Sequence, residues 1–325
     1  MFKSYFLIKY IMRLSIVAQG GTMRGAWAVG ALKGLRSLGL YGVDRAVGES
    51  ASAGNFAYSY SGQFNKGYRI WNEFITRDEF CAGFWNVGEL MKARKGKRHY
   101  VDVDWLVDEV FGNSDRALDL NKLRTSRVEI IVPLTNVVSG RPERVDLRKH
   151  DKPLEVLRAA MALPVAYEGV VNIDGVDYSD SGLSDSFPVN AIDYGDEDRT
   201  VFLATGTEEY GTNFHHWKQH QSARFFGWLL KNPMDEKYWK LYKRKTAIFR
   251  RNMKKALRIV DEERGVVIEA SAEINEGDNS SRNIEYAQQL GFEDAVNSEA
   301  LQVLLDEVHE GSTDEQREFY FTPSN

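Results

Sequence analysis

The chain has 325 residues, 43% of them hydrophobic, with 42 lysines and arginines against 47 aspartates and glutamates. That length supports one large core with room for an appended region, and the net charge of −5 excludes a global attraction to nucleic acid or an anionic surface. The single cysteine, Cys81, excludes an intrachain disulfide framework and a cysteine-rich zinc cluster, suits a reducing compartment, and is expected to be a buried structural thiol.

Residues 1–11 are apolar in places but carry Lys3 and Lys9, and no small-residue cleavage site follows. They are expected to be a flexible end, neither signal peptide nor membrane span, which points to a cytoplasmic protein with at most peripheral membrane contact. Leu14 to Ala18 is then a short apolar run broken by Gly20 and Gly21, and Ala26 to Leu38 has apolar residues at helical spacing. The pattern predicts strand, glycine turn and helix. Arg45 to Val47 predicts a second strand ending at Gly48, and Ala53 to Tyr60 a second helix. Strands follow at Val128 to Pro133, Val170 to Ile173 and Thr200 to Ala204, with a helix at Leu154 to Met161. Alternating strands and helices predict an α/β fold with a mostly parallel central sheet between helical layers.

After residue 209 the composition changes. An aromatic stretch contains Phe225, Phe226 and Trp228, candidates for a lid or for core burial. From Lys237 to Val260 the residues Tyr238, Leu241, Tyr242, Ile248, Phe249, Ala256, Leu257 and Val260 recur at helical spacing opposite a face crowded with lysine and arginine. This predicts an amphipathic helix that either lies on an anionic membrane or packs on the core with its basic face in water. Val266 to Ile268 could add a strand and Asn297 to Glu307 a last helix. The resulting division is a catalytic unit over 12–209, a helical, basic elaboration over 210–311, and a flexible end over 312–325. No nucleic-acid-binding motif occurs.

Two turns carry candidate chemistry. In Gly20-Gly21-Thr22-Met23-Arg24-Gly25 the backbone bends and presents amides at a helix start, where an anion is stabilised. The spacing lacks the dinucleotide pattern, and no lysine paired with serine or threonine follows the turn as a P-loop requires. Val47-Gly48-Glu49-Ser50-Ala51-Ser52-Ala53-Gly54-Asn55 runs from a strand end directly into a small-residue helix, the geometry of a nucleophile elbow. Two registers of Gly-x-Ser-x-Gly compete there: Ser50 has Gly48 before it but Ser52 at the fifth position, whereas Ser52 has Gly54 after it but Ser50 at the first.

This pair of turns resembles the opening of patatin-like phospholipases, in which Gly-Gly-Gly-x-Arg-Gly precedes Gly-x-Ser-x-Gly. An asparagine commonly stands five residues beyond that family's nucleophile, as Asn55 stands beyond Ser50, so the resemblance favours Ser50. Tyr178-Ser179-Asp180-Ser181-Gly182, followed by Phe187-Pro188-Val189, resembles the family's second block and gives Asp180 the aspartate position; Asp185 is the local competitor. The resemblance implies a lipid acyl hydrolase with a Ser50–Asp180 dyad and no histidine, metal or organic cofactor. It assigns the oxyanion loop to Gly20, Gly21 and Thr22, with Arg24 and Gly25 completing the motif. Asp180 is expected to be partly buried, with its basicity raised. Thr22, Ser52 and Ser181 replace family glycines, which leaves room for a catalytically degenerate lipid-binding member. The other alternative, an α/β-hydrolase triad, would need His215, His216, His220 or His309.

Overall fold

The computed structural model describes residues 12–81, 101–164, 166–167, 169–196, 198–206 and 236–323. The expectations for residues 1–11 and for Phe225, Phe226, Trp228, His215, His216 and His220 lie outside the described residues.

The core is an eight-stranded sheet. Its strands are β1 (Leu14–Ala18), β2 (Arg45–Gly48), β3 (Glu129–Asn136), β4 (Pro142–Asp146), β5 (Val171–Ile173), β6 (Val176–Ser179), β7 (Arg199–Ala204) and β8 (Gly265–Glu269). The order is β5-β6-β3-β2-β1-β7-β8, with β4 also on β3. β8, β7, β1, β2 and β3 are mutually parallel, and the β4, β5 and β6 pairings are antiparallel. All five residues of β1 are buried, as expected of a central parallel strand covered on both faces. Its side chains alternate: Leu14, Ile16 and Ala18 join the larger core cluster, and Val17 joins a second cluster with Phe187, Phe202 and Phe249.

The longer helices are α1 (Gly25–Ser37), α2 (Ala51–Ser59), α3 (Phe64–Ile70), α4 (Pro153–Met161), α5 (Glu236–Asp261), α6 (Ser281–Val296), α7 (Glu299–Gly311) and α8 (Asp314–Phe321). A π-helical turn, Trp71–Ile75, continues α3, and another spans Leu106–Phe111. The larger cluster, with α1 and α6, covers one face of the sheet, while Phe249, Ala256 and Ile259 of α5 cover the other. α1 and α6 pack with unusually close backbones. A Cβ on Gly30 would stand 2.1 Å from the Gln288 carbonyl oxygen, and one on Gly291 2.1 Å from that of Trp27. Neither obstacle is a flexible side chain, so Gly30→Ala should force the helices apart and destabilise the protein by about 1 to 3 kcal/mol in denaturant unfolding.

The region after residue 209 is less separate than its composition suggests. Thr200 to Ala204 of β7 pair with Gly265 to Glu269 of β8, so the sheet continues into it. The expected flexible end at 312–325 is corrected: Asp314–Phe321 forms α8, started by a Thr313–Gln316 capping box. Tyr320 is fully buried and its hydroxyl donates to Asp44 at the start of β2. The basic helix forms where expected, but its buried stripe is rotated. Leu241, Phe249, Asn252, Ala256 and Ile259 face inward, while Leu257 is 44% exposed. The polar Asn252 shifts the phase because it bonds to Asp185 and to the Ser186 carbonyl. Among the described residues no helix is long and apolar enough to cross a membrane.

Candidate active site

The two glycine-rich turns and the aspartate turn lie beyond the ends of β1, β2 and β6, and the parallel β1 and β2 end side by side, with Ala18 opposite Gly48. Loops converge at such an edge, which is where ligands bind in open α/β sheets. β2 ends at Gly48 because the chain must turn at once into α2: a Cβ there would lie 2.7 Å from the Ser52 backbone. Ser50, at the turn, has φ 51° and ψ −123°, a left-handed conformation that a side-chain-bearing residue adopts at a cost of about 1 to 2 kcal/mol. Its hydroxyl is thereby aimed across to the aspartate turn, where Ser50 Oγ donates to Asp180 Oδ2 at 2.8 Å.

The aspartate turn is held from several sides. Asp180 N donates to the Ala162 carbonyl, Thr135 Oγ1 of β3 donates to the Asp180 carbonyl, and Asp180 Oδ1 accepts from the Gly182 amide. Ser181 Oγ accepts from the Ser50 amide at 3.0 Å, tying the two turns together. Asp180 is 3% exposed, and burial raises its pKa, opposed by Lys245, the Gly182 amide and the Ser50 hydroxyl.

Ser52 is fully buried and donates to the Gln19 carbonyl, fixing the end of β1 to α2. Asp185 pairs with Arg144 and Asn252. His309 is packed edge-on against Phe321, at the α7–α8 corner. Asn55 bridges two elements: Nδ2 donates to the Gly25 carbonyl, and Oδ1 accepts from the Trp71 indole. That position, which sequence spacing ties to Ser50, therefore secures the start of α1.

The first glycine loop lies directly against the elbow, since a Cβ on Gly20 would meet Ser50 Cβ at 2.7 Å, and one on Gly25 would meet Ala51 Cβ at 2.7 Å. Of the three residues replacing family glycines, Thr22 alone has a positive φ, 48°. Its hydroxyl donates to the Gly21 and Glu276 carbonyls. Arg24 is 5% exposed, and its Nη2 lies 3.0 Å from Glu276 Oε2, so this arginine fixes the loop. The Gly20 amide donates to the Glu49 carboxylate, and Thr22 and Met23 line the pocket beside Ser50.

That pocket has a volume of about 70 Å³ and an almost wholly apolar lining, including Ala51, Ile70, Trp71, Leu106, Phe111 and Met161. It accommodates a hydrocarbon segment and offers no array of ligands for a metal; among the described residues no cluster of histidine, cysteine or carboxylate side chains could hold one. Three groups escaped the sequence reading. Glu49 and Thr135 carry no motif signal beyond their polarity inside apolar strands and turns, and Lys245 was hidden among the other cations of α5.

Residues 16–193 match the family model described as patatin-like phospholipase. The chain is 26% identical over 178 residues to the uncharacterized protein YjjU of Escherichia coli (strain K12), a match covering 54% of this chain and 47% of YjjU, so it spans about half of that relative. VipD from Legionella pneumophila, known from a crystal structure, superposes with a TM-score of 0.49 and 13% identity over 95% of this chain and 73% of VipD.

Proposed function

Because the chain belongs to the patatin-like phospholipase family, we propose that it hydrolyses carboxylic esters of lipids, with Ser50 as nucleophile and Asp180 as its base. The observation that carries this reading is the 2.8 Å hydrogen bond from Ser50 Oγ to Asp180 Oδ2 on a strained elbow beside an apolar pocket. Asp180 takes the hydroxyl proton as Ser50 Oγ attacks the ester carbonyl carbon. The resulting oxyanion is received by amides of the glycine loop before α1, with Gly20, Gly21 and Thr22 as the candidates, each good donor worth about 3 kcal/mol. Collapse expels the alcohol, which leaves with the proton held on Asp180, and the acyl group remains on Ser50. Water then attacks with its proton passing to Asp180, and the carboxylic acid departs as Ser50 regains its hydrogen. Every atom comes from the protein, the ester or water, so the reaction calls on no cofactor.

Labelling with a fluorophosphonate probe tests the reading, with hydrolysis of a phospholipid and an acylglycerol measured in parallel. Wild type should label at Ser50, and Ser50→Ala and Asp180→Ala should not. A folded wild-type protein that neither labels nor hydrolyses would favour the degenerate lipid-binding alternative.

Peripheral contact with an anionic membrane is a second element of the proposal. Arg250, Arg251, Lys254, Lys255 and Arg258 of α5 line an open groove of about 580 Å³ with Asn190 and Asn252. Lys255 has its pKa lowered, first by burial and then by Arg144. Each such cation near an anionic surface contributes about 1 kcal/mol. Sedimentation with phosphatidylserine vesicles should therefore exceed that with neutral vesicles, fall with salt, and fall further in Arg250→Glu/Arg251→Glu/Lys254→Glu; equal binding to both vesicle types would remove this element.

A further inference from the structure

The mechanism above uses Asp180 but leaves unexplained a second carboxylate beside it. Glu49, immediately before the elbow serine, is 3% exposed and accepts from the Phe187 amide at 2.7 Å and from the Gly20 amide. Gly182 locates where these groups meet. A Cβ built there would lie 2.7 Å from Glu49 Oε1, 3.0 Å from Asp180 Oδ1 and 3.6 Å from Lys245 Cε. Two buried carboxylates and the end of a lysine side chain thus converge on the one residue that has no side chain to separate them.

Two like charges in a dry site oppose each other's ionisation. The backbone amides of Phe187, Gly20 and Gly182 and the Ser50 hydroxyl offset part of that cost, but none brings a full positive charge. Lys245 is the cation acting on both carboxylates. It reaches them from α5, which packs behind the aspartate turn with Phe249 against Phe187 and Asn252 bonded to Asp185, Ser186 and Asn190.

Resting on the proposed Ser50–Asp180 chemistry, we infer that Lys245 is a positioning residue, whose ammonium group balances the Asp180–Glu49 carboxylate pair and keeps Asp180 charged and able to accept the Ser50 proton. The basic helix is in this way part of the active site from behind. Glu49 provides the counterweight: the amides it accepts hold the glycine loop and the Phe187 turn against the elbow, and its own charge makes the lysine necessary. Burial pushes the Glu49 carboxyl up to about 7, and it raises Asp180 as well, with Lys245 the largest opposing influence on each.

The test is the pH dependence of fluorophosphonate labelling and of ester hydrolysis in Lys245→Met, Lys245→Arg, Glu49→Gln and the Lys245→Met/Glu49→Gln double variant. Without the ammonium, Asp180 ionises at higher pH, so the acidic limb of the Lys245→Met profile should move upward. Neutral-pH rates should then fall about tenfold for each pH unit of that displacement and recover in alkali. Lys245→Arg should restore most of the wild-type profile. Glu49→Gln, which removes the opposing charge, should move the limb downward and, combined with Lys245→Met, return it toward wild type. A Lys245→Met loss that is uniform across pH, or a profile coincident with wild type, overturns the inference while leaving the Ser50 reading intact. Absence of wild-type labelling overturns both.

Discussion

Ser50→Ala is expected to lower ester hydrolysis by up to about 10⁶-fold, the scale on which removal of a nucleophilic serine acts, and to abolish probe labelling. Ser52→Ala should keep most of the activity. The contrast follows from where the two hydroxyls go. Ser50 Oγ meets the Asp180 carboxylate beside the pocket, while Ser52 Oγ is spent on the Gln19 carbonyl in a fully buried site. Losing that bond should cost about 1 kcal/mol of stability, read as a lower unfolding midpoint with little change in rate constant. Loss of labelling in Ser52→Ala alone, with Ser50→Ala still reactive, would assign the nucleophile to the other register.

The second large effect concerns Asp180→Asn, which should cut kcat/KM by about 10² to 10⁴, the range for removal of a positioned base. The same change should make the protein more stable at neutral pH. Asp180 is buried and its pKa is raised above the ordinary carboxylate value, chiefly by desolvation. A group raised in this way contributes its full stability below the unfolded-state pKa and loses it as pH rises through the folded-state value. The amide has no such loss and keeps an oxygen for the Gly182 amide. Thermal unfolding should therefore show the variant's advantage over wild type growing as pH rises above the ordinary carboxylate pKa of about 4, while wild-type activity rises as Asp180 ionises. A variant no more stable than wild type at pH 8 would mean that the site tolerates the charge without strain.

The parts of the fold that were legible in the sequence are those with strong local patterns. β1, β2, β3 and β7 are runs dense in Val, Ile, Leu or Ala, and α1, α2 and α4 follow a glycine, a serine elbow or a Pro153 start. β4 was missed because Pro142-Glu143-Arg144-Val145-Asp146 is mostly polar and pairs at one side of β3. α6 was missed because its buried face is Ile284, Ala287, Gln288, Gly291 and Ala295, small or polar residues selected for close approach to α1 rather than for hydrophobicity. α8 carried a readable signal in Thr313 and Gln316, the capping box, but its polar composition obscured it.

The candidate site divides in the same way. The loop, the elbow and the aspartate turn are short contiguous motifs, and Ser50, Asp180 and Asn55 could be named from them. What could not be named is whatever arrives from far along the chain: Thr135 beneath Asp180, Lys245 behind both carboxylates and Glu276 on the glycine loop. Such contacts depend on tertiary closure and leave no local periodicity. The motif assigned the amides of Gly20, Gly21 and Thr22 one shared role; the Gly20 amide also acts on Glu49, a contact the motif gave no sign of.

Glu276, between β8 and α6, holds the loop from two directions, by its carbonyl to Thr22 and its carboxylate to Arg24. During synthesis the serine and its aspartate leave the ribosome long before this clamp does, and before β8 has covered the edge of β7. A nascent or truncated chain ending short of it therefore carries Ser50 and Asp180 but lacks both contacts that hold Thr22 and Arg24 in place.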